Sequence, residues 1–199
     1  YKLTTLELIV NALPVLVQPS PLELCDDNNP GDEQEAFTLE AAADQILNGQ
    51  TGISLSYYET QLDADNGTNP IASPYTNTSN PQTIYVSASN NATGCVSTIT
   101  LDLRVNPVPS PEPNPTPIEE CDVDNDGFSS FDLDSRTVEI INGELNIAIS
   151  YHETMADAVN AQNPLVSPYN NIVPDTQTVY ARAENTITGC YSIVPLVLN

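Results

Sequence analysis

Two consecutive copies of one pattern fill this chain, and that repetition constrains its fold more than any other feature. SYYET (56–60) returns as SYHET (150–154), and NPIASPY (69–75) returns as NPLVSPY (163–169). The offset of about 95 residues is typical of one small domain. The chain is therefore expected to be a tandem array of similar units, not one large globule.

The repeats also predict domain boundaries. LELIVNALP (6–14) matches LDLRVNPVP (101–109), so the chain reads as a window cut from a longer array. Proline-dense stretches between copies favour extended, semi-rigid spacers. The expected division is 1–10 as the last strand of a preceding repeat, 11–22 as a linker, 23–106 as the first Ig-like repeat, 107–117 as a Pro-rich linker, and 118–199 as the second Ig-like repeat with a truncated last strand.

Within each copy the clearest secondary-structure signals are β. ISLSYY (53–58), TIYVSAS (83–89) and STITLDLRV (97–105) alternate or carry β-branched and aromatic residues. Clusters of Asn, Gly and Pro separate them. The predicted fold class is all-β, with tandem Ig-like β-sandwich repeats joined by Pro-rich linkers. The chain has no Trp, so the antibody subclass is not expected.

Short helical turns are expected between the strands. LEAAADQILNG (39–49) contains good helix formers and ends in glycine. Thr60 with Asp63, and Thr154 with Asp157, resemble N-terminal capping pairs.

The charge excludes several classes of partner. The chain has 27 acidic and 4 basic side chains, a formal net charge of −23. Nucleic acids and anionic membrane surfaces are not expected partners, because both are bound mainly through Lys and Arg. Divalent cations and cationic partners are favoured. No apolar run is long enough to span a membrane, and the absence of an initial Met indicates a segment of a longer protein.

The chain has four cysteines, two in each copy, at spacings of 70 and 69 residues. Three pairings are possible. Repetition favours Cys25–Cys95 and Cys121–Cys190, because each unit would then be self-contained. Structural disulfides indicate an oxidising, extracellular compartment.

The second copy contains a candidate calcium loop. CDVDNDG (121–127) carries aspartates at alternate positions before a glycine, as the first half of an EF-hand does. The Glu that an EF-hand needs at position 12 is replaced by Leu133, so the loop is expected to be closed by a neighbouring aspartate. The candidate ligands are Asp122, Asp124, Asp126, Asp132 and Asp134.

The first copy keeps only part of this loop. Asp26, Asn28 and Asp32 are its weaker candidate ligands, while Pro30 and Thr38 stand where the second copy has aspartates. Magnesium is less expected than calcium, because proteins seldom hold it in an all-protein cage. The competing interpretation of both loops is an Asx-rich turn with solvated carboxylates.

No catalytic constellation recurs in both copies. The single histidine, His152, has Tyr58 as its counterpart, and each copy has one recurring glutamate, Glu59 or Glu153. Neither a glycine-rich phosphate loop nor a zinc-type ligand cluster is present. The segment is therefore not expected to be an enzyme.

The recurring motifs CD-x-(D/N)-N-x-G, ILNG, S-Y-x-E-T, NP-(I/L)-x-SPY, Q-T-x-Y and TGC together resemble repeats of large secreted Bacteroidota proteins. These are gliding-motility-associated surface adhesins and other cargo of the type nine secretion system. The resemblance covers essentially the whole chain. It implies a cell-surface location and an elongated array that acts in adhesion or as an adhesin stalk, and it matches Asp122, Asp124, Asp126 and Asp132 to the family's acidic loop.

The leading interpretation is a non-catalytic adhesin stalk, stiffened by calcium, whose partners are neighbouring repeats of the same chain and a surface glycan or protein. One alternative is a carbohydrate- or ligand-binding module of a secreted multidomain protein. Its candidate stacking residues are Tyr57, Tyr58, Tyr75, Tyr151 and Tyr169. Another alternative is a filament subunit that pairs the strand at 1–10 with another chain.

Overall fold

Each copy of the pattern forms a compact unit of its own. The computed structural model describes residues 2–199, and the division between the units falls between Asn106 and Pro107. Tyr1, part of the predicted first strand, lies outside the described residues.

The first unit is built around a four-stranded sheet. Its spatial order is β1-β6-β5-β3, with β1 parallel to β6 and the other neighbours antiparallel. The short strands β2 and β4 pair separately. The strands are β1 (Leu22–Cys25), β2 (Ala36–Phe37), β3 (Ile53–Tyr58), β4 (Tyr75–Thr76), β5 (Gln82–Asn90) and β6 (Val96–Asn106).

The second unit repeats this plan with one strand reduced. Its main sheet has the order β11-β10-β8, and β7 pairs with β9. A single parallel bridge from Ile118 to Leu198 takes the place of the β1–β6 pairing. The strands are β7 (Ser130–Phe131), β8 (Ile147–His152), β9 (Tyr169–Asn170), β10 (Gln177–Asn185) and β11 (Tyr191–Leu198).

Short helices connect the strands where the sequence predicts them. Thr60 and Thr154 cap α2 and α4, each accepting a hydrogen bond from the backbone N–H three residues later. The predicted helix at 39–49 is a 3₁₀ turn followed by α1. The helical elements are the 3₁₀ turns Leu39–Ala42 and Leu133–Arg136, with α1 (Ala43–Leu47), α2 (Gln61–Asn66), α3 (Thr137–Ile141) and α4 (Met155–Asn160).

Alternation along the strands produces the core of each unit. Ile84 and Val86 on β5 point to the same face as Leu101 on β6, where Phe37 and Ile46 cover them. Equivalent positions fill the second core. The predicted all-β class with tandem Ig-like sandwich repeats is confirmed, although helical turns supply part of the layer opposite the main sheet. The second core contains Phe131, Leu133, Ile140, Tyr151, Val179 and Leu196.

The proline-rich segments are docked on the units that follow them. The Val17 N–H donates to the Ile46 carbonyl (3.1 Å), and the Glu112 N–H makes the equivalent bond to Ile140 (3.1 Å). Leu16 packs against the first core. The segments 11–22 and 107–117, predicted as spacers, are therefore attached to the units through these backbone bonds and through Leu16, although Leu13, Val15 and Val17 stay exposed.

The segment before β1 differs from its predicted strand. Residues 2–10 form no regular secondary structure, and Leu3, Leu8 and Val10 are almost fully exposed. That this segment completes a neighbouring repeat stays a prediction.

Candidate functional site

The acidic loop of the second unit brings three carboxylates together. Asp122, Asp124 and Asp126 each offer an oxygen, and these atoms lie within 4.8 Å of one another. All three side chains are exposed. Aspartates at alternate positions of the sequence are thus brought together by the turn, and we call these three residues the triad.

Asp122 also holds the turn itself. Its carboxylate accepts hydrogen bonds from the backbone N–H groups of Asn125 (2.8 Å) and Gly127 (2.8 Å). The bond from Gly127 is the main reason that the pKa of Asp122 is lowered. The loop is therefore an Asx-type turn, whatever else it binds.

The carboxylates of the triad repel one another. The negative charge of Asp126 is the main reason that the pKa of Asp124 is raised. Such repulsion is relieved when a cation or a proton enters the cluster.

Asp132 and Asp134 lie outside this cluster, which differs from the predicted closing role of one of them. Asp132 precedes the 3₁₀ turn that contains Asp134. Its carboxylate accepts a hydrogen bond from the Ser167 hydroxyl (3.0 Å). Asp134 contributes its backbone N–H to the same hydroxyl (3.4 Å). Among the described residues only the three earlier aspartates form a cluster of this type.

The first unit builds the same turn without the triad. The Asp26 carboxylate accepts from the Gly31 N–H (2.6 Å), as Asp122 does from Gly127. The Asn28 side chain donates to Glu35, and Asp32 accepts from the Asn29 side chain (2.9 Å). The predicted ligands Asp26, Asn28 and Asp32 thus each have a different hydrogen-bond partner, and among the described residues this loop has no acidic cluster like the triad.

One carboxylate oxygen in this first loop is unusual. Asp26 is 2% exposed, and its Oδ1 has no hydrogen-bond partner among the described residues. Buried carboxylate oxygens are normally satisfied.

A recurring asparagine stabilises each loop by hydrogen bonds, a role that the sequence did not predict. Asn171 accepts from the Ser129 N–H (2.7 Å) and donates to the carbonyl of Gly127 (2.8 Å). Asn77 is its counterpart and donates to the Glu33 carbonyl (2.8 Å). Both follow SPY by two residues, so their recurrence was the signal that could have identified them.

The cysteine pairing differs from the predicted one. Cys25 and Cys190 are disulfide-bonded, whereas Cys95 and Cys121 are free thiols. Each predicted pair, Cys25–Cys95 and Cys121–Cys190, would need one of the free thiols. The bonded cysteines are the first of one repeat and the second of the other.

His152 is a buried structural residue of β8. It is 1% exposed. Its Nδ1 donates to the Gln162 carbonyl at 2.7 Å, because a carbonyl can only accept, and its Nε2 lies 2.9 Å from the Ser150 hydroxyl. The histidine ties the strand to the loop after α4.

The tyrosines proposed for ligand stacking are mostly in the cores. Tyr57, Tyr58 and Tyr151 are at most 6% exposed. Burial, followed by the charge of Glu40, raises the pKa of Tyr57 to about 12. The ring faces of Tyr57 and Tyr151, which lie in the two cores, are therefore not available to a sugar.

The recurring glutamates bind tyrosine hydroxyls. Tyr75 donates to Glu59 (2.9 Å), and Tyr169 donates to Glu153 (3.1 Å). Gln82 and Gln177 donate in turn to the same hydroxyls. Both SPY prolines have cis peptide bonds. These motifs recur because they build the fold.

The pairing of one cysteine from each repeat agrees with a known family. The model of the Flavobacterium inter-domain disulphide bond domain matches residues 21–109 and again 117–199. The chain belongs to this family. The description of the family concerns a bond between domains, which agrees with the departure from pairing within each repeat.

Solved structures give more distant similarities. A three-Ig-domain structure of titin is 12% identical, with a TM-score of 0.31, over 92% of this chain and 63% of that one. A Drosophila N-cadherin structure is 11% identical, with a TM-score of 0.24, over 92% of this chain and 47% of that one. This chain thus spans less than two thirds of either structure. No curated protein matches.

The helices in the part of the chain that the structure describes include no candidate membrane span. No helix there is both long and apolar enough to cross a bilayer.

Proposed function

We propose that this chain is a non-catalytic segment of an extracellular repeat array, in which a Cys25–Cys190 disulfide links successive repeats. The main support is that one bonded cysteine comes from each repeat, whereas the counterparts of both are free thiols. The family description supports the same arrangement. Disulfides persist in oxidising compartments, which supports an extracellular location.

Such a bond would restrict motion between repeats. Removing it should increase the range of inter-repeat orientations, because a covalent link then no longer limits them. The test compares Cys25→Ser/Cys190→Ser with the matched control Cys95→Ser/Cys121→Ser by small-angle scattering. The first variant should show a broader distance distribution and the control should match the native chain. Equal curves for all three proteins would contradict the proposal.

The two free thiols fit the same linkage in a longer array. Cys95 is the counterpart of the bonded Cys190, and Cys121 is the counterpart of the bonded Cys25. Each would bond a neighbouring repeat: Cys121 to the second cysteine of the next repeat, and Cys95 to the first cysteine of the previous one. The linkage is head-to-tail and therefore extends along an array.

This extension can be tested with a chain of three repeats that continues the pattern after Asn199. Peptide mapping without reduction should find Cys121 joined to the second cysteine of the added repeat. A free Cys121 in the oxidised three-repeat protein would contradict the extension. It would leave the Cys25–Cys190 bond unaffected.

The biological role that we propose is that of a stalk in a surface adhesin used in attachment or gliding. The support is the tandem organisation, the docked proline-rich segments and the strongly acidic surface. A stalk positions a binding domain and does not itself bind glycans. A glycan array should therefore give no signal with this chain. Specific binding to a sugar would favour the alternative of a carbohydrate-binding module.

We also propose that the triad Asp122, Asp124 and Asp126 binds calcium. Three convergent carboxylate oxygens and the mutual repulsion of Asp124 and Asp126 support this proposal. Water would complete the coordination, because Asp132 and Asp134 lie outside the cluster.

Calorimetric titration with calcium tests this proposal. Binding of one ion to the native chain should be lost in Asp124→Ala and Asp126→Ala and retained in Asp134→Asn, the matched control. Absence of heat at millimolar calcium would leave the loop as an acidic turn.

A further inference from the structure

The first unit has an open cleft on the face of its main sheet that points away from the core. Its volume is about 500 Å³, and α2 forms one wall. Tyr58 lines the cleft, and the rest of its floor consists of small side chains in two adjacent rows across the strands. One row is Ser56, Ser87 and Thr98, and the other is Ser54, Ser89 and Val96.

The same face of the second unit is occupied by an arginine. Arg182 lies in the row with Ser150 and Ile193, where the first unit has Ser87. It is 7% exposed, and its guanidinium lies 3.4 Å from the centre of the Tyr191 ring. Stacking on an aromatic face is a typical environment for arginine.

Two oxygen acceptors hold that guanidinium. Nη2 and Nε donate to the Glu184 carboxylate at 2.7 and 3.1 Å. Nη1 lies 3.5 Å from the carbonyl of Ala158 on α4. The second unit therefore fills this face with its own cation, one carboxylate and one ring.

Three substitutions between the repeats open the cleft in the first unit. Ser87, Ser89 and Val96 stand where the second unit has the arginine, its carboxylate and its ring. Ala64, the counterpart of Ala158, lines the cleft. A carboxylate is also present, at Asp65 on α2, where the second unit has Val159. The carboxylate at this face is therefore on a strand in the second unit (Glu184) and on a helix in the first unit (Asp65).

We propose that this cleft binds the guanidinium group of an arginine from a protein partner. The Ala64 carbonyl and the Asp65 carboxylate, whose Oδ1 also accepts from the Gln61 side chain (2.7 Å), would accept part of its N–H groups, and the serine hydroxyls would accept the rest. The net charge of −23 favours a cationic partner over a neutral or anionic one. The volume exceeds that of one arginine side chain, so neighbouring atoms of the partner would enter as well.

The test is titration of the isotope-labelled full chain with N-acetyl-arginine amide, followed by NMR of backbone amides. The amides of Ser56, Ser87 and Ser89 should shift, whereas those of Ser150 and Glu184 in the filled unit should not. The citrulline analogue, which has nearly the same shape but no charge, should bind at least about tenfold more weakly. Equal shifts with citrulline, or stronger shifts with a neutral monosaccharide, would overturn the proposal.

Two variants sharpen the experiment. Asp65→Asn should weaken arginine binding about tenfold, whereas Asp44→Asn, an exposed change of equal charge on α1, should leave it unchanged. Ser87→Arg/Ser89→Glu/Val96→Tyr copies the second unit into the first and should abolish binding while the protein remains folded. Native-like affinity in Asp65→Asn, or in the folded triple variant, would contradict the assignment.

Discussion

At the residue scale, two threonines stabilise equivalent helices. The Thr60 hydroxyl accepts from the Asp63 N–H (3.1 Å) and donates to its carboxylate (2.5 Å), and Thr154 does the same with Asp157. Thr60→Ala should lower the free energy of unfolding of the first unit by about 1 kcal/mol. Urea unfolding measures this change. Thr51→Ala, an exposed loop substitution, should have little effect, and equal losses in both variants would contradict the capping role.

Gly127 in the acidic loop combines a left-handed backbone with a close neighbour. Its φ is +83°, and a Cβ added there would lie 2.7 Å from the Cβ of Pro174. Gly31, its counterpart, has φ +102° and open space around it. Gly127→Ala and Gly31→Ala both incur backbone strain of about 1 kcal/mol, but only the first adds a steric clash. Thermal unfolding should show a clearly larger decrease in melting temperature for Gly127→Ala than for Gly31→Ala. Equal decreases would contradict the close approach of Gly127 to Pro174.

Acid should weaken the capped turns. Hydrogen bonds, first from the Thr60 hydroxyl, lower the pKa of Asp63 below its usual 3.8, and Thr154 does the same for Asp157. A carboxyl with a lowered folded-state pKa contributes stability that is fully present well above 3.8. That stability is lost as the pH falls through the lowered value.

The corresponding experiment is urea unfolding at several pH values below 5. Asp63→Asn/Asp157→Asn should be less stable than the native chain near neutral pH, and its stability should depend less on pH below about 4. Asp44→Asn serves as the control. An unchanged pH dependence in the double variant would show that these caps do not contribute to acid sensitivity.

At the element scale, the segment before the first strand divides into two parts. Residues 2–12 make few contacts, whereas Leu16 packs on the core and Ser20 donates its N–H to the Gln45 side chain (2.9 Å). A chain that begins at residue 13 should keep native stability. In a chain that begins at residue 21, the free energy of unfolding of the first unit should fall by on the order of 2 kcal/mol, because the contacts of Leu16 and Ser20 are lost.

Hydrogen exchange of α1 amides locates this effect. Protection should fall only in the shorter chain, since Val17 bonds to the Ile46 carbonyl at the end of α1. Equal protection in both truncated chains would mean that the segment is a free spacer, as the proline content alone predicts.

The elements themselves were largely predictable. Alternation at 53–58 and 83–89 correctly predicted β3 and β5, and the capping pairs correctly predicted α2 and α4. The docking of residues 14–20 was not predictable, because proline density reports the stiffness of a segment and not whether it contacts a neighbour. The cleft under α2 was equally hidden, since it depends on which serines share a row of the sheet.

At the scale of the whole molecule, repetition predicted the architecture but misled the disulfide pairing. A similar cysteine spacing in the two repeats is compatible both with bonds within repeats and with bonds between successive repeats. The loop from Cys25 to Cys190 is the longer one, and closing it would restrict the unfolded chain by about 5 kcal/mol in the chain-entropy model. Sequence spacing carries no information on which bond forms.

The most direct test of the account is peptide mapping of the oxidised chain without reduction, after free thiols have been alkylated. The account predicts one cross-linked peptide pair, joining Cys25 to Cys190, with Cys95 and Cys121 alkylated. Recovery of Cys25–Cys95 and Cys121–Cys190 pairs, with no alkylated cysteine, would contradict a disulfide-linked array of successive repeats.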